Sequence, residues 1–218
     1  ADIQRDVLTV FDDGNSSGAT GAMSASTITG LGMDSGVVYG SLETVEILLG
    51  TGNDEFEITG TAEVTSDIGM ITAVHGGGGS DEIVITGGGG AESPLVVYGD
   101  TTEDGSRYTG TPGTSQPGVA FAFVNPGDDD IDARASTAGI TIYGGAGNDE
   151  IWGSQAGDHL AGGSGNDEIH GQDGADHIYG DSGFNVDLAT HELTVPTSEI
   201  AGTDTIYGDG GSDIILGD

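Results

Sequence analysis

An aspartate returns at every ninth position between residues 144 and 180. Asp149, Asp158, Asp167 and Asp176 each follow a glycine-rich turn, and each is followed two residues later by an apolar side chain, Ile151, Leu160, Ile169 or Ile178. Glycine tolerates positive φ and close backbone packing, so the first six residues of each block suit a tight turn. The last residues alternate polar and apolar, as a short strand with one buried side chain does. Two such blocks close one coil. Residues two blocks apart then lie on neighbouring strands, with Asp149 over Asp167 and Asp158 over Asp176.

That stacking creates an electrostatic problem. Neighbouring strands lie about 4.8 Å apart, where two bare carboxylates repel by about 0.9 kcal/mol in water and by about 3.5 kcal/mol at an effective dielectric of about 20. A ladder of such contacts rivals the whole stability of a domain. A cation between the rungs removes the conflict. Carboxylates and turn carbonyls make an all-oxygen cage, which calcium takes with about 6 to 8 ligands; magnesium keeps its waters, and zinc prefers nitrogen or sulfur. The competing reading, a merely solvated acidic face, does not account for the strict spacing.

The rest of the composition agrees. Of 218 residues, 37 are acidic and three basic, for a formal net charge of -34. Nucleic acid and anionic membrane surfaces are poor partners because each adds repulsion, and cations are favoured. The 43 glycines lack the every-third pattern of collagen. With no cysteine, disulfides and thiolate metal sites are impossible. No apolar run approaches a membrane span, and the opening ADIQRDVLTV has no signal-peptide pattern. Gly217-Asp218 looks like the start of another block, so the chain reads as a piece of a longer protein.

The blocks align as G-G-x-G-x-D-x-U-x, with U a large apolar residue. GGAGNDEIW and GGSGNDEIH match fully, GSQAGDHLA and GQDGADHIY lose glycines, and GDSGFNVDL replaces the aspartate by Asn185. The pattern resumes around Asp204 and Asp213. This stretch, roughly residues 124 to 218, resembles the nonapeptide repeat of the RTX (repeats-in-toxin) family. The resemblance implies a parallel β-roll with calcium ions between successive turns. The expected ligands are the carboxylates of Asp149, Asp158, Asp167, Asp176, Asp204 and Asp213, the amide oxygen of Asn185, and the turn residues Gly144, Gly145, Gly147, Gly153, Gly162, Gly163, Gly165, Gly171, Asp173 and Gly180. In this scheme Asp167 pairs onward with Asn185, and Asp176 onward with Asp204.

The first half repeats the idea with longer coils. VEILLGTGNDEFEITG, ITAVHGGGGSDEIVITG and VAFAFVNPGDDDIDAR each run strand, glycine turn, aspartate, strand, and offer Asp54, Asp81 and Asp129 as further ligands. Residues 12–22 and 100–118 have the turn-rich composition of excursions. The expected fold is all-β, a parallel β-solenoid. It is irregular over residues 1–123 and tightens into the roll over 124–218, where a strand-forming loop interrupts it around 186–202. The segments DVLTVFDDGNSSGATG and GSLETVEILLGTGNDEFEITG also resemble spacer units of very large bacterial surface proteins.

Several motifs suggest chemistry and have plainer readings. GDSG at 180–183 resembles the nucleophile segment of trypsin-like proteases, but it falls in phase with the repeats. HELTV at 191–195 lacks the second histidine of a zinc protease. His159 and His177 sit at matching repeat positions, and exposed side chains without a role are the favoured reading over zinc. Tyr39, Tyr98, Tyr143, Tyr179 and Tyr207 each precede a glycine, and packing at the coil corner is favoured over sugar binding.

The sequence therefore points to a non-enzymatic, calcium-binding structural segment of a large secreted or cell-surface bacterial protein, such as an adhesin. The family resemblance implies type I secretion, with folding on calcium outside the cell. The alternative is the repeat module of a secreted protease, lipase, epimerase or toxin whose catalytic domain lies elsewhere. Other segments of the same protein, or a cell-surface polysaccharide, are the further partners left open.

Overall fold

A computed structural model describes residues 6–62, 70–100, 126–181 and 201–217, together with two short strands at 185–186 and 193–194. Among the described residues there are strands and no helix. The chain alternates between two sheets. The first orders Val7–Phe11, Thr44–Leu48, Ile71–His75, Leu95–Tyr98, Thr141–Ala146, His159–Ser164, His177–Tyr179 and Ile214–Leu216, every neighbouring pair parallel. The second runs Thr20–Met23, Glu55–Ile58, Glu82–Ile85, Asp130–Asp132, Glu150–Trp152, Glu168–His170 and Thr205–Tyr207, again parallel. One strand in each sheet makes one circuit. In the second sheet Asp130–Asp132 pairs with Glu82–Ile85 on one side and Glu150–Trp152 on the other, and in the first Leu95–Tyr98 pairs with Thr141–Ala146.

Period-two patterning sets which side chains enter the core. Glu55 and Glu57 are exposed while Phe56 and Ile58 are buried, so a shift of one residue would put both carboxylates inside. In the second sheet Phe56, Ile83, Ile131, Ile151 and Ile169 form one in-register column, each at most 2% exposed. The facing column is Ile47, Val74, Val97, Ile142, Leu160 and Ile178. Each apolar repeat position therefore contributes one side chain to a continuous core.

The irregular first half departs from the sequence reading in one respect. Residues 12–22 end in a strand, Thr20–Met23, because Met23 is buried in the core. Thr27–Gly30 pairs antiparallel with it, and Val37–Val38 pairs with that strand in turn. Ile28, Leu31 and Tyr39 from this hairpin join the core and cap its N-terminal end. The 100–118 excursion falls almost wholly on 101–125, and His191 of HELTV also lies outside the described residues.

The stack needs glycine where turns of successive circuits touch. Gly163 has φ +105°, and a Cβ there would collide with the carbonyl oxygen of Gly145 in the preceding circuit. Gly14 has open space around it. Gly163→Ala is expected to destabilise the calcium-loaded protein by more than about 1 kcal/mol, against about 0.5 kcal/mol or less for Gly14→Ala. Denaturant melts of the two variants check this, and equal midpoints would contradict the turn geometry.

Candidate metal centre

The turns that leave the first sheet carry one row of aspartates, and backbone hydrogen bonding sets it. The backbone N–H of each aspartate donates to Oδ1 of the aspartate in the next circuit. Asp54 donates to Asp81 (2.8 Å), Asp81 to Asp129 (2.8 Å), Asp129 to Asp149 (2.9 Å), Asp149 to Asp167 (2.9 Å) and Asp167 to Asp204 (3.1 Å). The sequence separations are 27, 48, 20, 18 and 37 residues, yet the rung geometry is constant. A second row on the opposite turns joins Asp158 to Asp176 (2.8 Å) and Asp176 to Asp213 (3.2 Å).

Two expected pairings are corrected. Asp167 meets Asp204, not Asn185, and Asp176 meets Asp213, not Asp204. The backbone of Asn185–Val186 pairs antiparallel with Leu193–Thr194 in a two-stranded sheet of its own, apart from the two stacked sheets. The turn begun at Gly180-Asp181 is completed by Gly202-Thr203-Asp204, whose carboxylate accepts the Asp167 N–H. Asp173 is exposed and does not enter the buried row.

With Oδ1 engaged, the second carboxylate oxygen is left over. Oδ2 of Asp81, Asp129, Asp149, Asp167 and Asp176 is buried without a hydrogen-bond partner. Each lies against the glycine that opens its turn: a Cβ on Gly76, Gly99, Gly144, Gly162 or Gly171 would collide with it. The same positions face carbonyl oxygens one circuit on, those of Gly99, Gly144, Gly162, Gly180 and Gly208. Gly153 stands likewise against Asp158 Oδ2 and the Gly171 carbonyl. Carboxylate and carbonyl oxygens thus share the narrow space where the turns stack. Gly145 and Gly163 supply positive φ, and Gly147 and Gly165 let the turns pack backbone to backbone.

The row ends differ. Asp54 has both oxygens engaged, by the N–H groups of Ala19 and Gly50. Asp158 accepts from Ile140 N–H, Ser154 N–H and Ser154 Oγ. These two are satisfied within the protein.

Burial makes the remaining charges expensive. Desolvation, opposed in part by the backbone hydrogen bonds and reinforced by neighbouring aspartates, raises Asp81 and Asp149 to about 9, Asp129 and Asp167 to about 7 and Asp158 to about 6. Asp54 and Asp176 are raised too, first by desolvation. An orphaned, buried carboxylate oxygen must find a proton or a cation. Among the described residues no three acidic or imidazole side chains converge on one point, so backbone carbonyls must complete any cage. That donor set, all oxygen and part carbonyl, fits calcium. A bound ion would supply charge neutralisation and a crosslink between circuits.

The sign of the pH dependence follows. Without calcium, the folded state holds these protons up to pH 6 to 9, whereas the unfolded chain releases them near 3.8. Ion-free stability is therefore greatest below the unfolded value and is lost as pH rises through the folded values. In chelator the chain should hold more β-structure at about pH 5 than at about pH 8, a difference that calcium abolishes. Circular dichroism reads this, and a calcium-free fold that strengthens with rising pH would contradict it.

Sequence reasoning missed two residues of this row. Asp100 and Asp181 are 1% and 5% exposed and lie in the same line of turns. Tyr-Gly-Asp at 98–100 and 179–181 was the available signal, shared by 207–209, where Asp209 is exposed with positive φ. Outside the row, Asn166 donates to Asn148 and Asn148 to Asp128, an exposed amide ladder beside the buried one. His159 and His177 are in register on the first sheet, with the His159 ring packed between Tyr143 and Tyr179 and its pKa lowered to about 4, first by burial. Tyr98 and Tyr143 stack on each other and are buried.

Strand pairs that repeat and turns that stack aspartate on aspartate define an all-β repeat segment built around rows of carboxylates. Residues 141–158, 152–187 and 201–218 match the RTX calcium-binding nonapeptide repeat in 4 copies. The match includes Asn185–Val186, which pair outside the two stacked sheets. No curated protein and no solved structure matches the chain.

Proposed function

We propose that this chain is a calcium-folded β-solenoid, tightening into a β-roll, that serves as a structural segment of a large secreted or cell-surface bacterial protein. The observation that carries the reading is the row of buried, unpartnered Oδ2 atoms at Asp81, Asp129, Asp149 and Asp167, with that of Asp176 on the opposite turns. Such a row opposes folding in a calcium-poor cytoplasm and favours it where calcium is about millimolar, the range of extracellular calcium modules. The net charge of -34 keeps the unfolded chain extended and suits passage through a type I channel. The chain performs no catalysis of its own. Its paired carboxylates are spent on turn geometry, and its work is to hold other parts of the protein apart, or to present them, with calcium as the staple.

Protease added to intact cells of the source organism tests the location. The segment should resist cleavage in calcium and be cut when chelator is added, without lysis. Cleavage that requires lysis under both conditions would overturn the extracellular reading.

A further inference from the structure

In the row of turns, the residue after the opening glycine is itself in line. Gly77 N–H donates to the Asp100 carbonyl, Asp100 N–H to the Gly144 carbonyl, and Gly163 N–H to the Asp181 carbonyl. Gly77, Gly145 and Gly163 occupy this second turn position with φ between +105° and +118°. Asp100 and Asp181 occupy it without positive φ. These are also the two turns from which the chain departs before completing the pattern. It leaves after Asp100 and returns at Gly127-Asp128-Asp129, and it leaves after Asp181 and returns at Gly202-Thr203-Asp204. Gly127 and Gly202 stand in line with Gly79, Gly147 and Gly165, so both departures interrupt the turn at the same place.

Departure removes the need for a left-handed second residue, and each time the position holds an aspartate. The carboxylates face inward. Asp100 Oδ2 accepts the Ala146 N–H (2.7 Å), and its Oδ1 is buried without a partner. Asp181 Oδ1 accepts the Gly202 N–H (2.9 Å), tying the point of exit to the point of return, and its Oδ2 is buried without a partner. Beside them stand the orphaned Oδ2 of Asp129, against Gly99, and the Oδ2 of Asp204, against Gly180. Asp100 lies close enough for its charge to act on Asp81 and Asp149, and Asp181 on Asp167.

We propose that Asp100 and Asp181 are additional calcium ligands, each giving the ion site at the neck of a long excursion one more carboxylate than the regular sites have. The inference rests on the calcium reading above and deepens it. The extra anionic ligand makes these the tightest sites in the row, because affinity in all-oxygen sites rises with the ligand charge count. Calcium then fills the interrupted turns first and closes the gap left where the chain departs.

The test is calcium binding by equilibrium dialysis across a range of free calcium, for the parent chain, D100N, D181N, the double variant and D34N, a change at an exposed site. Each single variant should lose one ion from the tightest class, its affinity falling about tenfold; the double variant should lose two, and D34N none. Equal counts and affinities in D100N, D181N and D34N would overturn the proposal while leaving the calcium reading intact. A parent chain that binds no calcium would overturn both. Should a variant fail to fold even in saturating calcium, D100E and D181E, which keep the carboxylate, restore folding and binding if the ligand role is correct; failure of that rescue counts against it.

Discussion

In chelator at neutral pH, the far-ultraviolet circular dichroism of the chain should lose most of its β-signal, and calcium should restore it with a midpoint of about 10⁻⁴ to 10⁻³ M. The largest loss is expected over residues 126–217. Several strands there are three residues long and bury one side chain each, as in Asp130–Asp132, Glu150–Trp152 and Glu168–His170. So little apolar area per residue cannot by itself offset the entropy of ordering glycine-rich turns. The same turns also stack Asp129, Asp149 and Asp167 with an unpartnered oxygen each. The first half should retain more structure, because Thr44–Leu48 and Ile71–His75 are buried along their whole length and the Thr27–Gly30 hairpin caps the core. Trp152, the single tryptophan, stacks on His170 with centroids 3.8 Å apart and reports the roll by its fluorescence. An unchanged β-spectrum in chelator at neutral pH would remove the basis of the calcium reading.

Asp167→Ala should raise the calcium midpoint several-fold more than Asp213→Ala, and should make the transition less steep. Asp167 is 2% exposed, accepts the Asp149 N–H on Oδ1 and donates its own N–H to Asp204. Its loss strips a ligand from the stacked turns on both sides and leaves the Asp149 N–H buried without an acceptor, at a cost of about 1 to 3 kcal/mol from that group alone. Neighbouring circuits hold each other up, so a break in mid-row uncouples the two parts of the stack. Asp213 is only partly buried, and its Oδ1 accepts from Asp176 at the longer distance of 3.2 Å. Calcium titrations followed by circular dichroism compare the two variants. Equal shifts would mean that the rungs act independently, and the shared-ligand row would be wrong.

Much of this was legible in the residue order. The nine-residue recurrence gave the strands, the turns and the stacking of Asp149 on Asp167 and of Asp158 on Asp176, because glycine placement and period-two alternation are local properties. Even the distant Asp54, Asp81 and Asp129 were found, since each carries the same turn-then-apolar signature. Asn185 was misplaced because GDSGFNVDL keeps the pattern by sequence. Whether a block joins the stack depends on what the next circuit can offer: Asp204 presents a carboxylate to the Asp167 N–H, while the Asn185 backbone pairs with Thr194. Asp100 and Asp181 were overlooked for the converse reason, since a repeat consensus assigns glycine to their position.

The sequence by itself determined the repeat unit, the alternation that buries Ile151 and Ile169, and the expectation of a hard, oxygen-seeking cation as the partner. Only the tertiary structure decided which aspartates are neighbours across 27, 48 and 37 residues, that both excursions open at the same point of the turn, and which oxygens are left without a partner. Local composition specifies turns and strands, but parallel pairing between circuits is non-local. A loop of any length can lie between two rungs at little added entropy, so the register is set by the hydrogen bonds the rungs exchange, not by their spacing along the chain.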